Sequence, residues 1–277
     1  MSWLDDSFRG KAVVVTGASS GIGRETALGF GRAGARVALL ARRRDQLEAV
    51  RGSIQADHGG TALVLPCDVT DPGAVRACIG QARDAFGRLD VVVNNAGVLI
   101  PSSVLALDPA DLLAMLRVNV FGALAVMQAA VPIMQAQAGG GVIVNVDSLA
   151  GRRGVSPLGG YAATKFALVG LTEALRTELH GSDVHVALVM PGVIDTPMVD
   201  AVEGNEEFQS MWPSSLNMPV SWAVWAIFAA ARFRLVELSV PPGAGTLEKL
   251  ASLAPGLADS VVHWMQTASA WMAGERK

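Results

Sequence analysis

Tyr161 and Lys165 stand four positions apart in the run Tyr161-Ala162-Ala163-Thr164-Lys165. On a helix, that spacing puts a phenol and an ammonium on one face. Tyr161 is the only tyrosine among the 277 residues. A free phenol ionises near pH ~10, so a phenol that exchanges protons with an alcohol at neutral pH needs positive charge beside its anion. Lys165 is spaced to supply that charge. Ser148 lies 13 residues upstream, and its hydroxyl is suited to donate to a carbonyl oxygen as negative charge develops there. Together the three side chains suit proton transfer at a carbonyl or an alcohol.

A second constellation would bind rather than react. The segment Thr16-Gly17-Ala18-Ser19-Ser20-Gly21-Ile22-Gly23 follows a β-branched run and precedes a helical pattern. Glycine permits a tight turn and close approach of the backbone to a pyrophosphate, which the N–H groups and dipole of the next helix would favour. Gly17, Ser19, Ser20, Gly21, Ile22 and Gly23 are therefore candidate phosphate contacts. No Lys-Ser/Thr pair follows the glycines, which disfavours a Walker-type site. The second strand runs into Ala41, Arg42 and Arg43. An NAD site commonly places an acid there for the ribose 2′-hydroxyl, whereas a 2′-phosphate calls for guanidinium. The expected cofactor is NADP(H).

The elements that must position these groups alternate along the chain. Strands are expected at 12–16, 36–40, 63–67, 91–94, 142–146 and 184–190, and helices at 25–34, 45–58, 72–86, 108–134 and 161–179. A further helix at 221–231 and a strand at 235–240 follow. Apolar strands separated by helices imply an α/β fold of Rossmann-like type: a single domain with a doubly wound parallel sheet and helices on both faces. The ligand crevice of such a sheet lies beyond the carboxyl ends of its strands. Residues 1–240 are expected to form this domain, with a lid at about 196–219, and 241–277 a C-terminal helical extension.

The motifs in order are TGASSGIG at 16–23, DV at 68–69, NNAG at 94–97, an Asn at 119, Ser148, YAATK at 161–165 and PGVIDT at 191–196. Together they resemble the non-extended branch of the short-chain dehydrogenase/reductase family, over about residues 8–240. The resemblance implies that Tyr161 is the general acid/base, that Lys165 binds the nicotinamide ribose and supports the tyrosine, and that Ser148 donates to the substrate oxygen. It also implies that Asn119 holds a water of a proton relay. Asp68 and Val69 would flank the adenine; Asn94, Ala96 and Gly97 would line the cofactor; Pro191, Gly192, Ile194 and Thr196 would contact its nicotinamide end. Two positions depart from many relatives. Asp147 stands where Ser or Gly is common, and strand alternation points it away from Ser148. Pro241-Pro242-Gly243-Ala244-Gly245 replaces the glycine-rich ending of many tetrameric relatives.

Composition narrows the rest. With 51% hydrophobic and 17% charged residues and a net charge of −3, the chain has apolar surface for a large core and no basic field for nucleic acid. Cys67 and Cys78 form no CxxC or Cys/His pattern, and His58, His180, His185 and His263 show no metal-ligand spacing. No signal peptide or transmembrane segment is expected, and the cytoplasm is the expected location. Met198, Phe208, Met211, Trp212 and Met218 in the lid, with Leu99, Ile100 and Leu149, suit an apolar ketone, aldehyde or secondary alcohol. In the tail, Val261, Trp264, Met265, Ala268, Trp271 and Met272 share one helical face, consistent with packing on the body or within a homodimer or other homo-oligomer. A regulatory protein that holds NADP without turnover is the alternative from another class.

Overall fold

Short aliphatic, β-branched runs become strands buried from both sides. In the computed structural model, which describes residues 7–58, 60–200, 202, 217–256 and 260, β1 (Ala12–Thr16) and β5 (Gly141–Val146) are buried along their whole length. The other strands are β2 (Arg36–Ala41), β3 (Thr61–Pro66), β4 (Val91–Asn94), β6 (Val184–Pro191) and β7 (Glu237–Val240). All pair in parallel in the order β3-β2-β1-β4-β5-β6-β7. Chain direction across the sheet reverses between β1 and β4, the switch point at which such sheets open a crevice. The α/β doubly wound architecture expected from the alternation is the one observed.

The helices are α1 (Gly21–Arg32), α2 (Arg44–His58), α3 (Pro72–Phe86), α4 (Pro109–Leu116), α5 (Ala123–Gln135), α6 (Gly159–Glu178), the short α7 (Pro197–Asp200), α8 (Val220–Phe233) and α9 (Ala244–Ala251). Capping explains α3. Asp71 accepts from the N–H groups of Gly73 and Ala74, Pro72 opens the first turn, and Gly87 closes the helix in the left-handed region. Two boundaries differ from expectation. The first helix begins at Gly21 rather than at 25, because the glycines of the phosphate turn themselves form its first turn. The expected helix over 108–134 is α4 and α5 joined by a π-helical turn, Arg117–Gly122, and such turns interrupt the regular ladder at functional positions.

The helix over Pro109–Gln135 is long and apolar enough, by length and composition, to cross a membrane. Here it covers the sheet, packing on α3, β4, β5 and β6. Its buried face joins α3 and α6 in one core, which contains Ile79, Phe86, Val126, Met134 and Leu168. The core on the opposite face is formed by α1, α2 and α8. At its centre Phe30 stacks on Phe228 at 4.1 Å, and Phe8 meets both edge-on. The expected lid and tail fall largely on 203–216 and 261–277, outside the described residues. What is described of the lid is its two ends. The Met218 N–H donates to the Val193 carbonyl and the Asp195 N–H to that of Met218, so both ends are anchored beside the end of β6. Phe228→Ala should cost about 3–5 kcal/mol, seen as a lower urea midpoint with an unchanged slope.

Candidate active site

The phosphate turn is shaped by exclusion. A Cβ on Gly17, whose φ is +66°, would lie 2.9 Å from the Asn95 Nδ2, and one on Gly23 would lie 2.3 Å from the Gly17 carbonyl oxygen. No other residue fits either position without moving backbone. Ser20, at the N-cap of α1, makes no side-chain capping bond, leaving the first N–H groups of the helix for a ligand. These N–H groups open on a cleft of about 550 Å³ lined by Ser19, Ser20, Gly21, Arg24, Arg43 and Thr196, among others. Arg43 donates through Nη2 to the hydroxyls of Ser19 and Ser20 at 3.0 and 3.1 Å. Arg42 is exposed beside it. The residues fit a dinucleotide phosphate: open helix N–H groups, hydroxyls and a guanidinium converge where a side chain on Gly17 or Gly23 would intrude.

Polar side chains tie the ends of the central strands together. The Thr16 hydroxyl accepts from the N–H groups of Asn95 and Ala96 at 2.9 and 3.0 Å, and the Asn95 amide donates back to the Thr16 carbonyl. Asn94 is turned inward, donating to the Ala123 carbonyl and to the Asn145 amide oxygen, and Asn145 donates to Thr172. The Asn94 side chain is thus committed to the core. The Ile194 side chain, 3% exposed, is likewise turned into the core, and its carbonyl accepts from the Thr196 hydroxyl at 3.1 Å. Asp68, before α3, accepts from both the N–H and the hydroxyl of Thr70. The Thr70 N–H, followed by its hydroxyl, holds the Asp68 carboxyl below its ordinary value, against a smaller opposing effect of burial.

Beyond the ends of β4 and β5 the candidate catalytic residues meet. Ser148 directly follows β5 and a loop residue, and its oxygen accepts from the Ala150 N–H at 3.1 Å, so its own proton remains available to donate. Tyr161 and Lys165 occupy the first turns of α6, both buried. The Lys165 Nζ donates to the Val146 carbonyl at 3.0 Å and lies 5.6 Å from the centre of the Tyr161 ring. Val98, Leu99, Ile100 and Met115 pack around the tyrosine. Asn119 sits in the π turn, 1% exposed. Its amide oxygen accepts from the Val98 N–H, and its amide nitrogen donates to the Val98 carbonyl and the Thr164 hydroxyl. Asn119 therefore fastens the loop after β4 to α6, and its side-chain amide is spent there.

One charged group was not given a role by the motifs. Asp147 is 4% exposed, and neither carboxylate oxygen accepts a hydrogen bond of normal geometry. Burial pushes its carboxyl up to about 7, against the opposing charge of Lys165. Its Oδ2 lies 2.2 Å from where a Cβ on Gly151 would stand. Among the described residues, no group of three or more His, Cys, Asp or Glu is placed to hold a metal ion.

This geometry coincides with a family pattern along most of the chain: the model of the short chain dehydrogenases matches residues 11–207. The chain belongs to the short-chain dehydrogenase/reductase family. An uncharacterized oxidoreductase of Mycobacterium tuberculosis is 34% identical over 233 residues, 82% of this chain and 86% of that protein. A short-chain dehydrogenase/reductase of Burkholderia phymatum, solved in complex with NAD, superposes with a TM-score of 0.82 at 27% identity, covering 91% of this chain and 96% of its own. An alcohol dehydrogenase of Thermococcus sibiricus, solved with 5-hydroxy-NADP, gives a TM-score of 0.73 at 26% identity, covering 83% and 95%. The family is one of oxidoreductases that bind a nicotinamide dinucleotide, and one neighbour carries each form of it.

In this dehydrogenase/reductase fold, sequence motifs marked Asn119, Ser148, Tyr161 and Lys165 but gave no role to Thr164, which holds Asn119, or to Thr16 and Asn95, which tie the phosphate turn to the loop after β4. All three stand inside quoted motifs; the signal they carry is position beside a marked residue. Asn119→Ala would leave the Val98 N–H and carbonyl unpaired. The expected cost is about 2–4 kcal/mol, measurable by chemical denaturation of the purified protein.

Proposed function

We propose that the protein is an NADP(H)-dependent oxidoreductase that moves hydride between the nicotinamide and an apolar ketone, aldehyde or secondary alcohol. The observation carrying this reading is the Lys165 ammonium buried behind Tyr161 and fixed by Val146, beside a half-buried Ser148. When bound, the cofactor supplies the hydride and an oxidised ring adds positive charge. In reduction, Tyr161 donates its proton to the substrate oxygen while Ser148 steadies that oxygen with a hydrogen bond. Oxidation reverses these transfers. Lys165 uses one of its three N–H donors on Val146, leaving two for ribose hydroxyls. The remaining residues named above from 17–23, 68–69, 94–97 and 191–196 form the cofactor's bed, several through their main chain alone.

Preference for the 2′-phosphate is supported by the end of β2 at Ala41, with no acid, and by the exposed Arg42 and Arg43 beyond it. Arg43 already points over the phosphate turn. An apolar substrate is supported by Leu99, Ile100, Leu149 and Met218, all partly buried around the tyrosine and the end of β6. The two free, buried cysteines fit a reducing compartment such as the cytoplasm. Exposed Leu113, Phe121 and Phe166 fit assembly into a homodimer or larger homo-oligomer. A domain ending near residue 240 with a helical extension is part of the same proposal; α9 packs on β7 and on the turn after Ser148.

A panel of apolar ketones, aldehydes and secondary alcohols, followed by NADPH and NADH absorbance in parallel, tests the reading. With an accepted substrate, kcat/KM should favour NADPH by about tenfold or more, and Arg42→Ala with Arg43→Ala should narrow that gap. Tyr161→Phe should still bind NADPH and lose roughly 10² to 10⁴ in turnover. Equal use of both cofactors would overturn the NADP assignment. Protection from thermal unfolding by NADPH, with no turnover on any substrate, would instead favour the regulatory alternative.

A further inference from the structure

We propose that Asp147 is a positioning residue: a buried carboxyl that sets the net charge behind Lys165, and through it the pH range over which Tyr161 exchanges its proton. The inference rests on the catalytic reading of Tyr161 and Lys165 given above. Four geometric facts carry it. Asp147 directly follows Val146, whose carbonyl anchors the Lys165 ammonium. Its N–H is held by the Val189 carbonyl at 2.7 Å, which fixes its backbone in the sheet. Its side chain is buried, neither oxygen accepts a hydrogen bond of normal geometry, and the Ser148 N–H beside it gives only partial support, an arrangement that disfavours the anion more than the acid. Gly151 makes room for it, since a Cβ there would overlap Oδ2.

The charged groups around it come from every neighbouring element. Lys165 faces it from α6 and Arg152 from the turn after Ser148, and both favour the anion; Glu237 faces it from β7 and opposes the anion. Arg152 is itself drawn away, since its Nη2 pairs with Glu173 of α6 at 3.2 Å and Glu237 at 2.9 Å, and Glu237 also binds Lys249 of α9. The Arg152 Nε is buried without a partner. Lys165 is thus the cation not otherwise neutralised by a carboxylate. While Asp147 holds its proton, the charge of Lys165 acts undivided on the tyrosine. Once Asp147 ionises, it becomes the counter-ion of Lys165 and weakens that support.

The experiment uses the full-length protein, wild type against Asp147→Asn, which keeps the shape and removes the titration, with Asp147→Ser as a second variant should the first fold poorly. Infrared difference spectra of wild type minus variant, without substrate, should show a protonated-carboxyl band at about pH 5 that disappears as pH rises through about 7. Stability gives the same sign. An acid whose folded value is raised above the unfolded ~4 binds more protons folded than unfolded, so wild-type Tm should fall relative to Asp147→Asn between about pH 4 and about pH 7 and then stay level. In alcohol oxidation, the midpoint of the kcat/KM profile should move to lower pH by about one unit in Asp147→Asn. Absence of the band at about pH 5, or superimposable rate profiles, would overturn the proposal. Loss of turnover on all substrates with the band and Tm difference intact would refute the catalytic reading instead, and with it the role given to Asp147.

Discussion

The site depends on burying one ammonium. Lys165 is 5% exposed, and taking such a charge from water is costly unless nearby groups replace its hydration. The Val146 carbonyl is one such group, and the face of the Tyr161 ring is another. Because the carbonyl belongs to β5 and the ammonium to α6, this contact exists only when strand and helix are in register. That register is enforced from within by Asn145, which joins Asn94 of β4 to Thr172 of α6. A side chain that would carry chemistry is therefore held by polar bonds between buried groups of the sheet and α6.

The cofactor end follows a complementary rule, in which space is kept open rather than filled. Gly17 and Gly23 leave no room for a Cβ beside Asn95 and the Gly17 carbonyl, so the turn lies flat against the loop after β4. Thr16 and Asn95 lock these two loops across the switch point. The consequence is one continuous edge, from the phosphate turn past the ends of β4 and β5 to the loop after β6. On it a dinucleotide would find N–H groups at one end and the Tyr161–Lys165 pair at the other.

Much of this was legible in the chain. The spacing of Tyr161 and Lys165 is a helical period, which survives as geometry, and the apolar strands follow from local chemistry. What was not legible is contact between distant segments. Thr16 and Asn95 bond across 79 positions, and neither residue type advertises a partner. The first helix starts earlier than its sequence pattern indicates because glycine, a poor helix former, opens it. Asn119 reads as a polar residue in an apolar helix; only the fold shows that its amide is spent on Val98 and Thr164 and that the helix there widens into a π turn. Strand alternation gives Asp147 a direction only; its burial, with Lys165, Arg152 and Glu237 acting on it, needs β7 and the Gly151 turn in place.

The most direct test is Lys165→Met, assayed by single turnover with saturating NADPH and an accepted carbonyl substrate, with thermal unfolding measured alongside. The expected result is a protein that still folds, as its unfolding transition reports, but whose turnover falls by roughly 10² or more. A variant that folds, binds NADPH and reduces the substrate at the wild-type rate would contradict the central role of the buried ammonium.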